Sequence, residues 1–299
     1  MSTITSQTSS SIIWKKIRSI QHKRIHRSIV LKVEGKTVSQ PAEVANIFAN
    51  EYSRRSNGLS TDQAFNKHKE KEEKNSITFP IIEPRKSYNR QFTIQELIFY
   101  LQNSSSKSPG PDNIPTQFLK AITSKKLHKL LDFYNYLWES GFPHQWRTAI
   151  VVPILKMGKP AAETGSYRPI ALTSCVCKVM ERMANARLRH YLESENLIAG
   201  HQSGFRTGHS TMDALARLES DVRKTFIQDE YCISVFLDIS QAFDTVWHHG
   251  LLQKLKDMKL EGQLHTGMEN WNQDHPERYS NFRGLYIKFQ DHGKWPWTR

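Results

Sequence analysis

The sequence predicts a mixed fold of the α+β class, and three observations carry that expectation. Apolar residues recur at helical spacing in several segments; two short runs, Ala149–Leu155 and Tyr231–Leu237, are β-branched and apolar; and 38% hydrophobic residues in 299 suffice to build a core.

The elements follow in chain order. Residues 1–12 are dominated by Ser, Thr and Gln, a composition that cannot bury enough apolar surface to order itself. Residues 13–75 open with the run WKKIRSIQHKRIHR, in which Ile13, Ile17, Ile20 and Ile25 predict a basic amphipathic helix, and close with NKHKEKEEKN, a solvated helix or linker. The region 76–145 holds two helices. Thr93 and Glu96 form a capping-box pattern ahead of Leu97, Ile98 and Leu101, and Ser104–Ser108 stops that helix. Leu127, Leu130, Leu131, Tyr134, Leu137 and Trp138 define the second, which ends before Gly141 and Pro143.

Residues 146–260 begin with Ala149–Leu155, expected as a mostly buried strand in which Pro153 marks an edge or bulge. A long helix follows over Ser174–Glu193, with Val176, Val179, Met180, Met183, Leu188, Tyr191 and Leu192 on its apolar face. Another helix runs over Thr211–Ile227, and Tyr231–Leu237 is expected as a strand that delivers Asp238 at its carboxyl end. The tail, 261–299, has scattered aromatics without an apolar period.

The net charge of +13 and pI of about 9.6 favour a polyanionic partner, because each phosphate neutralised releases condensed counterions. No stretch is apolar for long enough to span a bilayer and the amino terminus carries no secretion signal, so a soluble, intracellular protein without a membrane partner is expected. Cys175, Cys177 and Cys232 make neither a disulfide framework nor a paired zinc motif, and are expected as reduced, buried small residues.

Chemistry concentrates in VFLDISQAFDTV, residues 235–246, where an apolar run ends in a carboxylate. Such an acid in a basic chain suits Mg²⁺, a hard cation that shares oxygen ligands with substrate phosphates; a buried or capping aspartate is the structural alternative.

Several blocks in order resemble the reverse transcriptases of retrotransposons without long terminal repeats, most closely the jockey-like elements of insects. They are SKSPGPDNIP (106–115), WRTAIVVPILKMGKP (146–160), SYRPIALTS (166–174), QSGFRTGHSTMDAL (202–215) and LDISQAFDTVWHHGLLQKL (237–255), and the resemblance covers roughly residues 95–260. It implies a right-hand polymerase of which this chain holds the fingers and the start of the palm, with an antiparallel fingers hairpin around Ile150–Ile170 and a helical region before it. Asp238 would be the catalytic carboxylate and, with the carbonyl of Ile239, a magnesium ligand.

The same resemblance implies that the backbone from Ser240 through Gln241 to Ala242 faces a deoxynucleoside triphosphate and that Phe243 lies under its sugar. Lys156 and Arg168 would clamp its phosphates, and Arg206 and Lys159 would meet nucleic acid. The implied partners are an RNA template and a DNA primer, in nucleus or cytoplasm. Structural readings stand beside each: Lys156 and Lys159 as charges in a hairpin turn, Arg168 paired with Glu163, Phe243 as core, and Asp244, Trp247, His248 and His249 as packing or capping residues.

The chain departs from the family after about Leu260. Two divalent ions about 4 Å apart need more than one carboxylate, yet no two aspartates are adjacent in the 299 residues. A fragment truncated after the first palm motif, inactive alone and with an unpaired strand edge that favours aggregation, is therefore expected. The alternatives are a non-catalytic, basic nucleic-acid-binding remnant of a decayed mobile element, or a pseudogene product without function.

Overall fold

The computed structural model describes residues 29–56, 62–75, 77, 87–104, 108–239, 242, 246–262 and 264. The expected basic helix at 13–27, the residues Ser240, Gln241, Phe243 and Asp244, and nearly all of the tail lie outside the described residues. Helices dominate and strands are short, in keeping with an α+β fold.

The described residues divide into two compact units, one within 29–48 and 152–170 and the other within 49–151 and 171–264. In the first, strands β1 (Leu31–Val33) and β2 (Lys36–Val38) pair antiparallel, with Leu31 opposite Val38. Glu34 and Gly35 both take positive φ, 49° and 77°, as a two-residue hairpin turn demands. Helix α1 (Pro41–Ser56) starts on a proline, whose missing N–H costs nothing in the first turn. Its Val44 and Phe48, one turn apart, are buried with Leu31 and Tyr167; the Phe48 and Tyr167 rings meet edge to face at 5.0 Å. Lys32 N–H donates to the Ala162 carbonyl at 2.9 Å, and the Tyr167 hydroxyl to that of Ala161 at 2.7 Å.

Strands β3 (Ile150–Leu155) and β4 (Tyr167–Leu172) pair, and Lys156 N–H, just after β3, donates to the carbonyl of Ser166, just before β4. The chain thus doubles back as the hairpin expected at 150–170. The burial expected for β3 is not observed. Val151 is its one buried residue, and Ile154 and Leu155 are exposed, because a two-stranded ribbon has two open faces.

The second unit is a helical assembly on one core. Helix α2 (Gln63–Glu72) buries none of its residues, as its charge mixture predicts. Helix α3 (Ile94–Gln102) carries the complete capping box: Thr93 Oγ1 accepts from Glu96 N–H at 3.2 Å, and the Glu96 carboxylate accepts from Thr93 N–H at 2.8 Å. A short helix, α4 (Thr116–Lys120), leads to α5 (Ser124–Ser140), which ends where Gly141 takes φ 95°. Helix α6 (Cys175–Ser194) is the centre of the core. Its Val179, Met180 and Met183 are fully buried with Leu97 and Leu101 of α3 and Tyr134, Leu137 and Trp138 of α5. Helix α7 (Thr211–Ile227) buries nothing. Helix α8 (His248–Asp257) packs Leu252 and Leu255 inward, and the packing continues through Leu260 to Leu264.

Three helices end alike, each in a Schellman motif with a polar residue in the left-handed region. Asn196, Asp229 and Lys259 have φ of 54°, 57° and 57°, and the next N–H reaches back five residues, as from Leu197 to the Leu192 carbonyl at 2.9 Å.

The strand expected at 231–237 does not form. Residues 231–239 run without regular structure, and Tyr231, Ile233, Val235, Phe236 and Leu237 are each more than three-quarters exposed. A strand needs a hydrogen-bonded neighbour, and no described residue pairs with this one. Cys232 is exposed for the same reason, against expectation, whereas Cys175 and Cys177 are free and buried as expected.

Candidate nucleic-acid and nucleotide site

The SPGPD turn proves to be architectural. Gly110 lies against the backbone where β4 passes into α6; a Cβ there would come within 2.4 Å of the Thr173 carbonyl carbon. That approach sets Asp112 beside the start of α6, where its carboxylate accepts from the Ser174 hydroxyl at 2.5 Å. Ser174 Oγ in turn accepts from Val176 and Cys177 N–H at 3.1 and 3.3 Å. An aspartate, a serine cap and a helix amino terminus therefore form one chain of hydrogen bonds, with the negative charge at the positive end of the dipole.

Of the two cations assigned to phosphate, Lys156 is half-buried and its ammonium donates to the Gly165 carbonyl at 2.9 Å, tying the loop of its own hairpin. Arg168 is exposed on β4 and makes no ion pair with Glu163. Lys159 is exposed in the turn after Gly158, which takes φ 74°.

Arg206 is the most constrained of the assigned residues. Its guanidinium makes a two-pronged contact with Glu193 near the end of α6, at 3.0 and 2.6 Å, and donates to the carbonyls of Ala199 and Gln202 at 3.1 and 3.3 Å. Those bonds hold the Glu193 carboxyl below its ordinary range and raise the Arg206 guanidinium. Arg189 donates to Thr207 Oγ1 at 2.6 Å and Arg217 to the Gly200 carbonyl at 3.0 Å, so three arginines fix the loop 195–210.

Asp238 is exposed at the end of the apolar run, Ile239 is 73% exposed and Ala242 is exposed. Their neighbours Ser240, Gln241 and Phe243 lie outside the described residues. Among the described residues no three His, Cys, Asp or Glu side chains cluster where they could hold a metal ion. Trp247 packs as expected: it caps α8, its indole N–H donates to Glu73 at 2.8 Å, and Phe65, His68 and His249 surround its ring.

Residues that pattern-reading missed are the buried ones. Arg187 on α6 is 8% exposed; it grips both oxygens of Glu96 at 2.9 Å and donates to the carbonyls of Tyr88, Arg90 and Gln91. Its guanidinium lies 4.4 Å over the Phe92 ring. Burial alone would raise the Glu96 carboxyl, but the bonds from Arg187 and Thr93 outweigh it and hold the group below its ordinary value.

Residues 154–288 match the reverse transcriptase (RNA-dependent DNA polymerase) family, beyond the limit near 260 at which the motif blocks fade. The chain belongs to this family of RNA-directed DNA polymerases. Its relatives place it among those of retrotransposons without long terminal repeats. It is 32% identical over 251 residues to the probable RNA-directed DNA polymerase from transposon BS of Drosophila melanogaster, covering 82% of this chain and 27% of that protein. To the probable RNA-directed DNA polymerase from transposon X-element of the same fly it is 39% identical, covering 52% and 17%. To the RNA-directed DNA polymerase from the fly's mobile element jockey it is 36% identical, covering 50% and 16%. The chain thus spans about a quarter or less of the length of these relatives. Among the described residues no helix is long and apolar enough to cross a membrane.

Proposed function

We propose that the chain supplies the fingers and the first palm carboxylate of an enzyme that extends a DNA primer with deoxynucleotides on an RNA template. The observation that carries this reading is the ordered set of blocks ending at Asp238, within a match that reaches the transposon polymerases over most of the chain.

Bound divalent ions, Mg²⁺ foremost, would draw charge from the triphosphate and the primer hydroxyl. Asp238 and the carbonyl of Ile239 are the groups of this chain assigned to them, and the backbone of Ser240, Gln241 and Ala242 with the Phe243 ring is assigned to the nucleotide. Arg168 and Lys159 are the cations assigned to phosphate, and their exposure supports that reading. Lys156, tied to the Gly165 carbonyl, keeps its charge for phosphate while it shapes the hairpin turn, and Arg206, paired with Glu193, acts by shaping the loop 195–210. Because two divalent ions call for more than one carboxylate and no two aspartates are adjacent in the 299 residues, we include in this proposal that the chain is inactive by itself.

A chimera tests this. Residues 95–260 replace the matching part of the jockey polymerase, and extension of oligo(dT) on poly(rA) with Mg²⁺ is measured. The expected result is extension that disappears with Asp238→Ala. A folded chimera without extension, beside an active parent, sinks the proposal; incorporation by the 299-residue chain alone sinks its inactivity.

A further inference from the structure

Beside the buried contact of α3 with α6 lies an open groove of about 260 Å³, lined by Phe99 and Tyr100 of α3, Asn103 at its end, and Arg182, Asn185, Ala186 and Arg189 of α6. Arg182, Asn185, Ala186 and Arg189 follow the spacing i, i+3, i+4, i+7, so they share one face of α6.

The lining is unusual for a surface recess. Phe99 is 57% exposed although Leu97 and Leu101 beside it are buried, and its ring meets Tyr100 edge to face at 5.0 Å. Among the described residues its outer surface is left uncovered. Arg182 is half-buried, and among the described residues its side chain makes no hydrogen bond or ion pair, so its charge stands uncompensated at the groove. Arg189, two turns along, is held by Thr207. Asn185 is exposed between them, and Asn103 is fixed by the hydrogen bond that its side-chain N–H donates to the Phe99 carbonyl at 2.8 Å. Among the described residues no acidic side chain lines the groove.

An exposed phenyl ring, two cations separated by about 10 Å of helix rise, the exposed Asn185 amide and a small residue beside it suit a stacked base with flanking phosphates. An enclosed metabolite fits worse, since pockets for such ligands run to roughly 300–1,000 Å³ and bury most of the ligand. An acidic peptide would use the arginines but leave the exposed Phe99 face without a role.

We infer that the groove between α3 and α6 is a binding site for a single-stranded polynucleotide, with a base on Phe99 and phosphates on Arg182 and Arg189. The inference rests on the proposed function for the class of its occupant, but its test does not involve Asp238 or catalysis.

The experiment measures fluorescence anisotropy of labelled twelve-nucleotide oligo(U) and oligo(dT) on the full 299-residue chain at several salt concentrations. Phe99→Ala and Arg182→Glu are each expected to weaken binding about tenfold, with Arg182→Glu also flattening the salt dependence by about one phosphate contact. Lys125→Glu, an equal change of charge on the exposed side of α5, is expected to weaken it less than about twofold. Ala186→Leu, which fills the groove, should mimic Phe99→Ala while leaving the circular dichroism spectrum unchanged. Equal strength on the two oligomers assigns the site to single strands in general, and preference for oligo(U) assigns it to RNA.

Loss no greater in Arg182→Glu than in Lys125→Glu, or full binding in both Phe99→Ala and Ala186→Leu, overturns the inference. So does a poly-glutamate peptide that binds the groove more tightly than either oligomer. A chimera that fails to extend primers while these binding differences persist would instead count against the polymerase reading alone.

Discussion

Helices α6 and α7 are near neighbours in the chain with similar local chemistry and opposite fates. Each starts on a serine whose hydroxyl accepts from the first turn, each ends in a left-handed polar residue, and each carries an apolar stripe. Yet α6 buries eight of its 20 residues and α7 none of its 17. Periodicity and caps decide whether a helix forms and which face is apolar. Whether that face is covered depends on what lies opposite, and for α6 those surfaces, α3 and α5, are amphipathic helices upstream in this chain. The run 231–239 after α7 makes the same point for strands, since it has the composition of a strand and no neighbour among the described residues.

The comparison breaks most sharply at Arg187. Replacing it with methionine would keep much of the packing on Phe92 but leave Glu96 and the carbonyls of Tyr88, Arg90 and Gln91 without their donor. We expect a loss of about 3–5 kcal/mol in urea unfolding, as for other buried pairs deprived of one member. Leu215→Ala on α7, where the side chain is already 56% exposed, should cost less than about 0.5 kcal/mol. Similar costs at the two sites would mean that α7 is covered in solution.

Gly110→Ala comes next. The added methyl group would meet backbone, which cannot step aside as a flexible side chain can, and the SPGPD turn would have to leave the Ser174 cap. A cost of about 1–3 kcal/mol is expected. A neutral effect in thermal unfolding would show that the turn is not fixed to α6.

How much of this was legible in the sequence follows the same division. The capping box at Thr93, the stop at Gly141, and the extents of α5, α6 and α7 were readable because they depend on residues within a few positions of each other. Helix α1 was not among the predicted elements, although Val44, Phe48 and Tyr52 recur every four residues. Arg187 was not legible at all: an arginine on a helix reads as surface, and its partners lie 91 to 99 residues away. For the site, the apolar run and Asp238 were plain, but the strand they imply needs pairing that composition cannot supply. The resemblance assigns Lys156 and Arg206 to phosphate and nucleic acid, whereas their contacts with the Gly165 carbonyl and with Glu193 depend on residues nine and 13 positions away.

Acid should separate the two regions less strongly. The Glu96 carboxyl has its pKa lowered in the folded chain, so its contribution to stability is fully present above the ordinary value of 4.5 and is lost as pH falls through the folded value. The wild type should lose melting temperature below about pH 4.5, and Glu96→Gln should lose less over the same interval, while starting from a lower value. Parallel decline in both proteins would remove Glu96 from the account of acid sensitivity.

The smallest effect on stability is expected at Val235, and it tests the meaning of exposure there. The side chain is 77% exposed within an apolar run that pairs with nothing described, so Val235→Lys breaks no described packing and should alter the unfolding free energy by no more than about 0.5 kcal/mol. An apolar run of this kind, with its backbone groups unpaired, is however a template for pairing with another chain, and a charge in its middle is the standard defence against that. Light scattering should therefore show less self-association in Val235→Lys than in the wild type at equal concentration, with unchanged melting. A marked fall in stability would reverse the reading, because it would mean that residues 231–239 find a partner within the folded chain and belong with α6 rather than with α7.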